Sequence, residues 1–474
     1  MMKLINSLLL MLLAGQVLAQ GNVHPSSAQY EWPTDPLVKQ KLDKWQDQKF
    51  GMIIHWGLYA VPGIVESWSI CSEDEDWIPR DSTAHYDDYK KWYWGLKDSF
   101  NPVNFNPEQW AKAAKDAGMK YLVFTTKHHD GFCMFDTRHT DFKITEGPFK
   151  NNPKANVSQY IFDAFRKEGM MIGAYFSKPD WHSPYYWWPK YATPNRNNNY
   201  DIKKHPWRWE QFKQYTYNQI NELMTDYGAM DILWLDGGWV RPRETVNAEV
   251  LSWGAPIPEW SQDIDMPKIA AMARKAQPGL LIVDRTVHGT YENYQTPEQR
   301  IPDHKIDNPW ESCMTLGDAW GYVPKENFKP ASKVIASLIE IVAKGGSLLL
   351  GVGPSADGTL QQPIIDRLAE IGQWINTNGE AIYNTRTPPL YKDENTFFTR
   401  SKDGKKMYAL IPVTDNAPVP SVVEWTGNIP AKGSKMVLLQ TRQNVKWSVV
   451  NGKVKVVLPK SLKTVAIALA FASS

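Results

Sequence analysis

The stretch Met230-Asp231-Ile232-Leu233-Trp234-Leu235-Asp236-Gly237-Gly238-Trp239 decides the fold class, because a largely apolar run ends abruptly in a carboxylate and two glycines. A strand that is buried on both faces of a parallel sheet has this composition. The run follows a longer amphipathic segment, about residues 209–227, which has the pattern of a helix. Helix and strand together predict one unit of an alternating α/β fold.

The same unit recurs along the middle of the chain. Further buried-strand patterns that end in polar residues lie at 51–55, 121–126, 171–176, 280–285 and 348–352. Helical patterns lie between them at 106–118, 158–167, 266–276 and 333–344. A doubly wound open sheet has the same alternation, but the chain has no Gly-rich phosphate-binding turn after its first strand. We therefore expect a catalytic (β/α)8-like barrel over residues 20–386, with reactive groups at the strand ends.

The pattern changes after a last helix predicted at 363–376. From about Thr387 onward, short runs such as 407–411 and 454–458 alternate around Gly, Asn and Pro turns. This pattern predicts antiparallel strands. We expect a C-terminal β-sandwich domain over residues 387–474, and it contains no cluster of catalytic residue types.

The first residues have the features of a secretory signal peptide. A basic start at Met1-Met2-Lys3 precedes an apolar run from Leu8 to Leu13, and Val17-Leu18-Ala19 offers small residues at the cleavage position. No cysteine lies near this point, which argues against a lipoprotein anchor. We expect residues 1–19 to be removed before Gln20, and the protein to be exported to a periplasm or to the extracellular space.

Composition narrows the classes of partner. The chain of 474 residues has 53 basic and 51 acidic side chains, so its net charge of +2 gives no reason to expect nucleic acid or an anionic membrane. No internal apolar run reaches the roughly 18 residues of a membrane span. The 22 Trp and 21 Tyr side chains are abundant. Their rings could stack on sugars or simply fill a large core, so composition alone leaves both readings open.

The three cysteines, Cys71, Cys133 and Cys313, lie far apart and lack metal-ligand spacing. An odd number cannot form a complete disulfide framework, and we expect three buried thiols without a nucleophilic role.

Several chemically capable residues follow predicted strands. Asp236 could be a functional carboxylate, since burying an acid without a partner is costly, or it could cap a turn. Lys127-His128-His129-Asp130 contains adjacent histidines, which point to opposite sides of an extended chain and therefore do not favour a shared metal. His55 and Arg285 end two other strands. Glycoside hydrolysis would need a second carboxylate, for which spacing leaves Asp284, Glu292, Glu298 and Glu311 open.

Five segments in order resemble the α-L-fucosidases of glycoside hydrolase family 29, over roughly residues 40 to 385. They are 50–59 (FGMIIHWGLY), 127–132 (KHHDGF), 234–239 (WLDGGW), Trp310-Glu311 with Trp320-Gly321-Tyr322, and 346–354 (GSLLLGVGP). Each segment alone is weakly diagnostic, whereas five in the family's order are specific. The resemblance implies a barrel, a C-terminal β-sandwich, and an exo-acting retaining enzyme that removes terminal α-L-fucose from glycans.

The resemblance also implies the catalytic pair. It places the nucleophile on Asp236. The family has an acid about a dozen residues before the Trp-Glu pair, which makes Glu298 the acid/base, with Glu292 as the second choice. The two carboxyl groups should then lie about 5–5.5 Å apart, as retention requires. We expect imidazoles and Arg285 to favour the Asp236 anion, and an apolar wall beside Glu298 to keep it protonated.

Substrate contacts carry over from the family in the same way. His55, His128 and His129 resemble its hydroxyl-binding histidines. The other implied contacts are Tyr175, Trp234 and Arg285 in the sugar pocket, Trp320 near the methyl group, and Glu66 with Trp68 in the loop after the first strand. That loop departs from the family version in which the acid precedes Trp-Tyr. No metal and no cofactor are implied.

Two other functions remain as alternatives at this point. One is a different exo-glycosidase on the same barrel, and the other is a sugar-binding protein that has kept the pocket without catalysis. The presence of both Asp236 and Glu298 argues against the second. The variable loops 67–98 and 180–201 are rich in aromatic and charged residues, and we expect them to contact the leaving group.

Overall fold

The computed structural model describes residues 30–71, 73, 85–413 and 417–472, so the predicted signal peptide at 1–19 lies outside the described residues. The helices are α1 Pro36–Gln48, α2 Tyr86–Gly95, α3 Pro107–Asp116, α4 Val157–Lys167, α5 Pro206–Asp226, α6 Ala248–Ser252, α7 Met266–Ala276, α8 Ala331–Ala343 and α9 Gln362–Asn378. None of these helices is long and apolar enough to span a bilayer. Those predicted from the sequence are all present, within a few residues at each end.

Seven parallel strands form a curled sheet in the order β5-β4-β3-β2-β1-β7-β6. They are β1 Phe50–Ile54, β2 Tyr121–Lys127, β3 Met171–Ser177, β4 Ile232–Asp236, β5 Leu281–Asp284, β6 Glu311–Thr315 and β7 Ser347–Val352. Helices precede or follow most of them, so the predicted α/β class and (β/α)8-like barrel are confirmed. The strand β6 was not predicted.

An irregular segment, residues 291–299, fills the gap between the edge strands β5 and β6. On one side the Asn293 amide donates to the Ile282 carbonyl at 2.9 Å. On the other side the Cys313 amide donates to the Pro297 carbonyl at 3.1 Å, and the Glu311 amide donates to the Gln295 carbonyl at 2.8 Å. This segment takes the place of an eighth strand without a helix of its own, and it carries Glu298 to the carboxyl edge.

The barrel interior is a separate apolar cluster that includes Ile53, Val123, Ile232, Val283 and Leu349. Helix α1 adds Val38, Leu42 and Trp45 to the same cluster, next to residues that begin strands, so it closes the amino end of the barrel. The opposite, carboxyl end is left for the side chains that follow the strands. Cys71, Cys133 and Cys313 are buried free thiols, as expected.

The C-terminal part is a sheet of nine antiparallel strands. They are β8 Thr385–Arg386, β9 Lys392–Asp393, β10 Thr396–Ser401, β11 Lys406–Pro412, β12 Val422–Thr426, β13 Met436–Leu438, β14 Gln443–Val450, β15 Lys453–Val457 and β16 Ala466–Ala472. The sheet folds over its own core, because Trp425 of β12 packs against Phe398 of β10 and Phe471 of β16 at ring distances of 5.9 Å. The outer face of β10, β11 and β16 packs on α8. This is the expected sandwich.

Candidate active site

The carboxyl ends of the parallel strands bring the predicted site residues to one edge of the barrel. Ser177 of β3 pairs with Asp236 of β4, and Arg285 directly follows β5. Asp236 ends its strand because the next residue, Gly237, has φ of 85°, a conformation that favours glycine. A Cβ atom on Gly237 would also lie 2.2 Å from Pro179, so the close approach of the two loops requires glycine.

Two side chains donate hydrogen bonds to Asp236. The Tyr175 hydroxyl donates to Oδ2 at 2.6 Å, and Arg285 Nη1 donates to Oδ1 at 2.8 Å. Burial by itself raises the pKa of Asp236, but the Arg285 charge, the Tyr175 hydrogen bond and the Gly237 amide outweigh it and hold the pKa below its ordinary value. The carboxylate is therefore ionised over the whole physiological range.

Arg285 also holds Glu298. Its Nη2 donates to Glu298 Oε2 at 2.7 Å, and the Trp320 indole Nε1 donates to Glu298 Oε1 at 3.1 Å. Two nitrogens of one planar guanidinium thus contact two carboxylates, which makes Asp236 and Glu298 neighbours. The polar partners of the Glu298 side chain are therefore a cation and an indole N–H, and the apolar wall expected beside it stays a prediction.

The other carboxylates left open by the sequence lie elsewhere. Glu292 Oε2 contacts His288 Nδ1 at 2.7 Å, and His288 Nε2 contacts Glu249 at 2.9 Å. Asp284 accepts from Lys178 Nζ at 2.5 Å in a fully buried pair. Glu311 points into the barrel interior, where its partners are Tyr121 and Trp234. Of these acids, only Glu298 shares Arg285 with Asp236.

The expectation that His128 and His129 point to opposite sides is wrong. Their ring centroids are 4.2 Å apart, because both residues follow the end of β2 and lie outside the alternation of an extended strand. Each ring is oriented by a serine: Nδ1 of His128 contacts the Ser67 hydroxyl, and Nδ1 of His129 contacts the Ser177 hydroxyl at 2.6 Å. Ser177 is a polar residue at the end of a buried strand, as Asp236 is, so the same sequence pattern could have identified it as a site residue.

The histidines of the site are neutral. Burial lowers the pKa of His128 to about 4 and holds the pKa values of His55 and His129 well below the ordinary value. A neutral imidazole has one donor and one acceptor nitrogen, which suits sugar hydroxyls. Ligand atoms of His128, His129 and Asp236 also lie within 4.8 Å of one another. This set could hold a metal ion, so the expected absence of a metal stays a prediction.

Glu66 lies at the same edge and connects two loops. Its Oε1 accepts from the backbone amides of Trp320 and Gly321, each at 2.9 Å. Burial, with smaller contributions from Glu298 and Glu326, raises the pKa of Glu66 to about 7. Neither of the bonds to Trp320 and Gly321 uses Oε2, the other oxygen of the carboxyl group.

Aromatic rings enclose the predicted pocket. Trp320 lies 5.1 Å from His55 and packs closely over Gly351, where a Cβ atom would be 2.6 Å from its ring. Trp68 lies 5.1 Å from His129. Trp181 and Trp239 also lie beside His129, at ring distances of 5.3 and 5.0 Å, although neither was predicted as a substrate contact. Trp239 lies within the family segment 234–239, and Trp181 lies in the aromatic-rich loop 180–201, so both positions had a signal in the sequence.

A barrel mouth that joins two carboxylates, neutral histidines and several tryptophans defines the class of the protein as a glycoside hydrolase. The family model described as Alpha-L-fucosidase matches residues 17–380 and ends between α9 and β8. The chain therefore belongs to the α-L-fucosidase family, glycoside hydrolase family 29, as the resemblance implied.

Relatives agree with this assignment. The chain is 26% identical to tissue α-L-fucosidase of Bos taurus over 464 residues, which cover 93% of this chain and 89% of that protein. It superposes on α-L-fucosidase isoenzyme 1 from Paenibacillus thiaminolyticus with a TM-score of 0.74 and 30% identity, covering 92% and 100% of the two chains. A family 29 α-L-fucosidase from Bacteroides thetaiotaomicron, solved as a trapped covalent intermediate in complex with 2-fluoro-fucosyl fluoride, has a TM-score of 0.70 and 25% identity, with 94% and 98% covered.

Proposed function

We propose that this α-L-fucosidase releases terminal α-L-fucose from glycans with retention of configuration, through a covalent fucosyl-enzyme on Asp236. The observation that carries the proposal is the Arg285 bridge, which places Asp236 and Glu298 side by side. Retaining glycosidases need two closely spaced carboxyl groups, whereas inverting enzymes leave room for a water molecule between them. The covalent intermediate trapped in the Bacteroides enzyme supports the same chemistry.

In the first step an Asp236 oxygen forms a bond to the anomeric carbon, and the bond from that carbon to the leaving oxygen breaks. Glu298 gives its proton to the leaving oxygen, so the aglycone departs as a neutral alcohol. In the second step Glu298 takes a proton from water while the water oxygen attacks the anomeric carbon. This step releases fucose and restores the Asp236 carboxylate. The neutral histidines are suited to hold the sugar hydroxyls.

The nucleophile is tested with p-nitrophenyl α-L-fucoside. We expect wild-type turnover and a collapse in Asp236→Gly, with azide restoring p-nitrophenol release by attacking in place of the missing carboxylate. NMR of the first-formed sugar should show the α anomer. The β anomer appearing first, or an Asp236→Gly variant with normal activity, would refute the proposal.

The acid/base is tested by a matched pair, Glu298→Gln and Glu292→Gln. On a fucosylated oligosaccharide, whose leaving group needs a proton, we expect Glu298→Gln to lose about 10²–10⁴-fold in rate. On an aryl fucoside with a good leaving group the loss should be much smaller. Glu292→Gln should keep activity on both substrates, and the reverse ranking would move the acid/base to Glu292.

Export is part of the proposal as well. The features of residues 1–19 support cleavage before Gln20 and a periplasmic or extracellular location. N-terminal sequencing of the protein recovered outside the cytoplasm should begin at Gln20, whereas an intact Met1 on the active enzyme would contradict it.

A further inference from the structure

Glu311, the first residue of β6, is a fully buried carboxyl group that the proposed mechanism does not use. It lies in the barrel interior, whose other residues are mainly apolar. None of the ion pairs within the described parts of the chain includes it. Burying a carboxyl group without a cation costs several kcal/mol unless hydrogen bonds compensate. A carboxyl group at this buried position therefore indicates a specific role for Glu311.

The two oxygens of Glu311 have different partners. Oε2 accepts from the Tyr121 hydroxyl at 2.7 Å, and Oε1 accepts from the Trp234 indole Nε1 at 3.2 Å. Burial raises the pKa of Glu311 to about 7, and either protonation state keeps an oxygen that accepts from the indole. The contact therefore fixes the rotation of the Trp234 ring over the working pH range.

The Trp234 ring supports Arg285, the arginine that donates to both proposed catalytic carboxylates. The Arg285 guanidinium carbon lies 4.6 Å from the centre of this ring, within cation–π range, and the Tyr175 ring stacks on it at 5.3 Å. Arg285 and Tyr175 are the two side chains that donate to Asp236, and Arg285 also holds Glu298. A tilt of the Trp234 ring would therefore displace Arg285 and Tyr175, and with them the hydrogen bonds that Asp236 and Glu298 accept.

We propose that Glu311 is a positioning residue for fucoside hydrolysis, which acts through the Trp234 indole to hold Arg285 and Tyr175 against Asp236 and Glu298. The inference rests on the proposed function, since it assumes that Asp236 and Glu298 are the catalytic pair. A displacement of about 1 Å in such a site can cost about a hundredfold in rate.

The test is a double-mutant cycle on p-nitrophenyl α-L-fucoside with Glu311→Leu, Trp234→Phe and the double variant. We expect each single change to lower kcat by about tenfold to a hundredfold, with a far smaller change in KM. The double variant should be no slower than the slower single variant, because both changes remove the same contact. If the fold losses in kcat of the two single variants instead multiply in the double variant, the coupling between Glu311 and Trp234 is refuted.

Two further variants separate positioning from mere stability. Glu311→Gln keeps an oxygen for the indole and should restore kcat to near the wild-type value. Tyr121→Phe removes the other hydrogen bond to Glu311 and leaves the Trp234 contact in place. It should lower the unfolding temperature while kcat changes less than about twofold, since the contact to Trp234 remains.

If Glu311→Leu and Tyr121→Phe lower stability equally and neither lowers kcat of the folded enzyme, Glu311 is structural only and the proposal fails. If Glu311→Leu does not fold, Trp234→Phe decides, because it removes the indole N–H that contacts Glu311 and keeps a smaller aromatic ring at the same position. Failure of the proposed function would show as missing wild-type turnover or as normal activity of Asp236→Gly. Glu311 is unchanged in both proteins, so this failure is distinguishable from failure of the positioning role.

Discussion

At the scale of single residues, Arg285 sets the charge of the candidate site. Its replacement in Arg285→Met removes the cation that offsets the burial of Asp236, so the pKa of Asp236 should rise. Asp236 would then be protonated as the pH falls through this higher pKa, and the acidic limb of the kcat/KM profile should move to higher pH. At neutral pH we expect a loss of at least about a hundredfold, comparable with removing one electrostatic donor from an active site.

The matched control is Arg166→Met, which removes an arginine that donates to the Tyr227 and Ala229 carbonyls just before β4, at the amino end of the barrel. Its pH profile should keep the wild-type shape. An unmoved acidic limb in Arg285→Met would show that Arg285 does not control the ionisation of Asp236.

Trp320 should act on the acid/base through its N–H as well as on the sugar through its ring. Trp320→Phe keeps a ring near His55 and removes the hydrogen bond to Glu298. Hydrogen bonds to charged groups contribute about 1.5–3 kcal/mol, so we expect kcat to fall by about tenfold or more. Trp374→Phe, which removes an indole bond to the Ala466 carbonyl far from the site, is the control. Equal activity of the two variants would contradict the prediction.

The pattern of polar residues at strand ends indicated Asp236, His55 and Arg285 from the sequence itself, whereas the family resemblance implied Glu298, Glu66 and Trp320. Polar groups such as Asp236 and Arg285 end buried strands, and parallel strands bring their carboxyl ends to one edge. The Arg285 bridge could not be predicted, because its geometry depends on where the irregular segment 291–299 passes. The pairing of the His128 and His129 rings was missed for a related reason, since the turn after β2 breaks the alternation on which the expectation relied.

At the scale of secondary-structure elements, β6 and the segment 291–299 show where sequence patterns stop being informative. Strand β6 reads Glu-Ser-Cys-Met-Thr, which has too little apolar character to predict a buried strand. Four of its five side chains are buried nevertheless, and Glu311 and Ser312 have hydrogen-bond partners inside the barrel wall. The regular strands, by contrast, have apolar runs that predict them within a few residues.

Helix α1 should stabilise the segment that carries Glu298. Trp45 of α1 is 1% exposed and stacks on Tyr294 with ring centroids 3.9 Å apart and an interplanar angle of 7°. Trp45→Ala leaves a cavity beneath this segment, and we expect a loss of about 3–5 kcal/mol in the free energy of unfolding. Denaturant unfolding measures it, and exposed Trp32→Ala is the control. A loss of unfolding free energy no greater than that of the control would show that α1 does not stabilise the amino end of the barrel.

At the scale of the whole molecule, the barrel and the C-terminal sheet share a core. Phe397, Tyr408 and Leu410 of the sheet belong to the same apolar cluster as Leu338 of α8 and Ile371 of α9. The sequence predicted both architectures from local periodicity, but it did not predict this shared core, because the contacts join residues that are distant along the chain. We therefore expect the two parts to unfold together.

Trp425 tests this cooperativity, since it lies in the separate core of the C-terminal sheet and is 1% exposed. Trp425→Ala should destabilise that core by about 3–5 kcal/mol. If unfolding is cooperative, the temperature at which fucosidase activity is lost should fall by the same amount as the temperature at which the sheet melts. Val449→Ala, at a 43% exposed position of the same sheet, should change neither. Activity that outlasts the melting of the sheet in Trp425→Ala would show instead that the barrel stands alone, and that the shared core contributes little to the stability of the site.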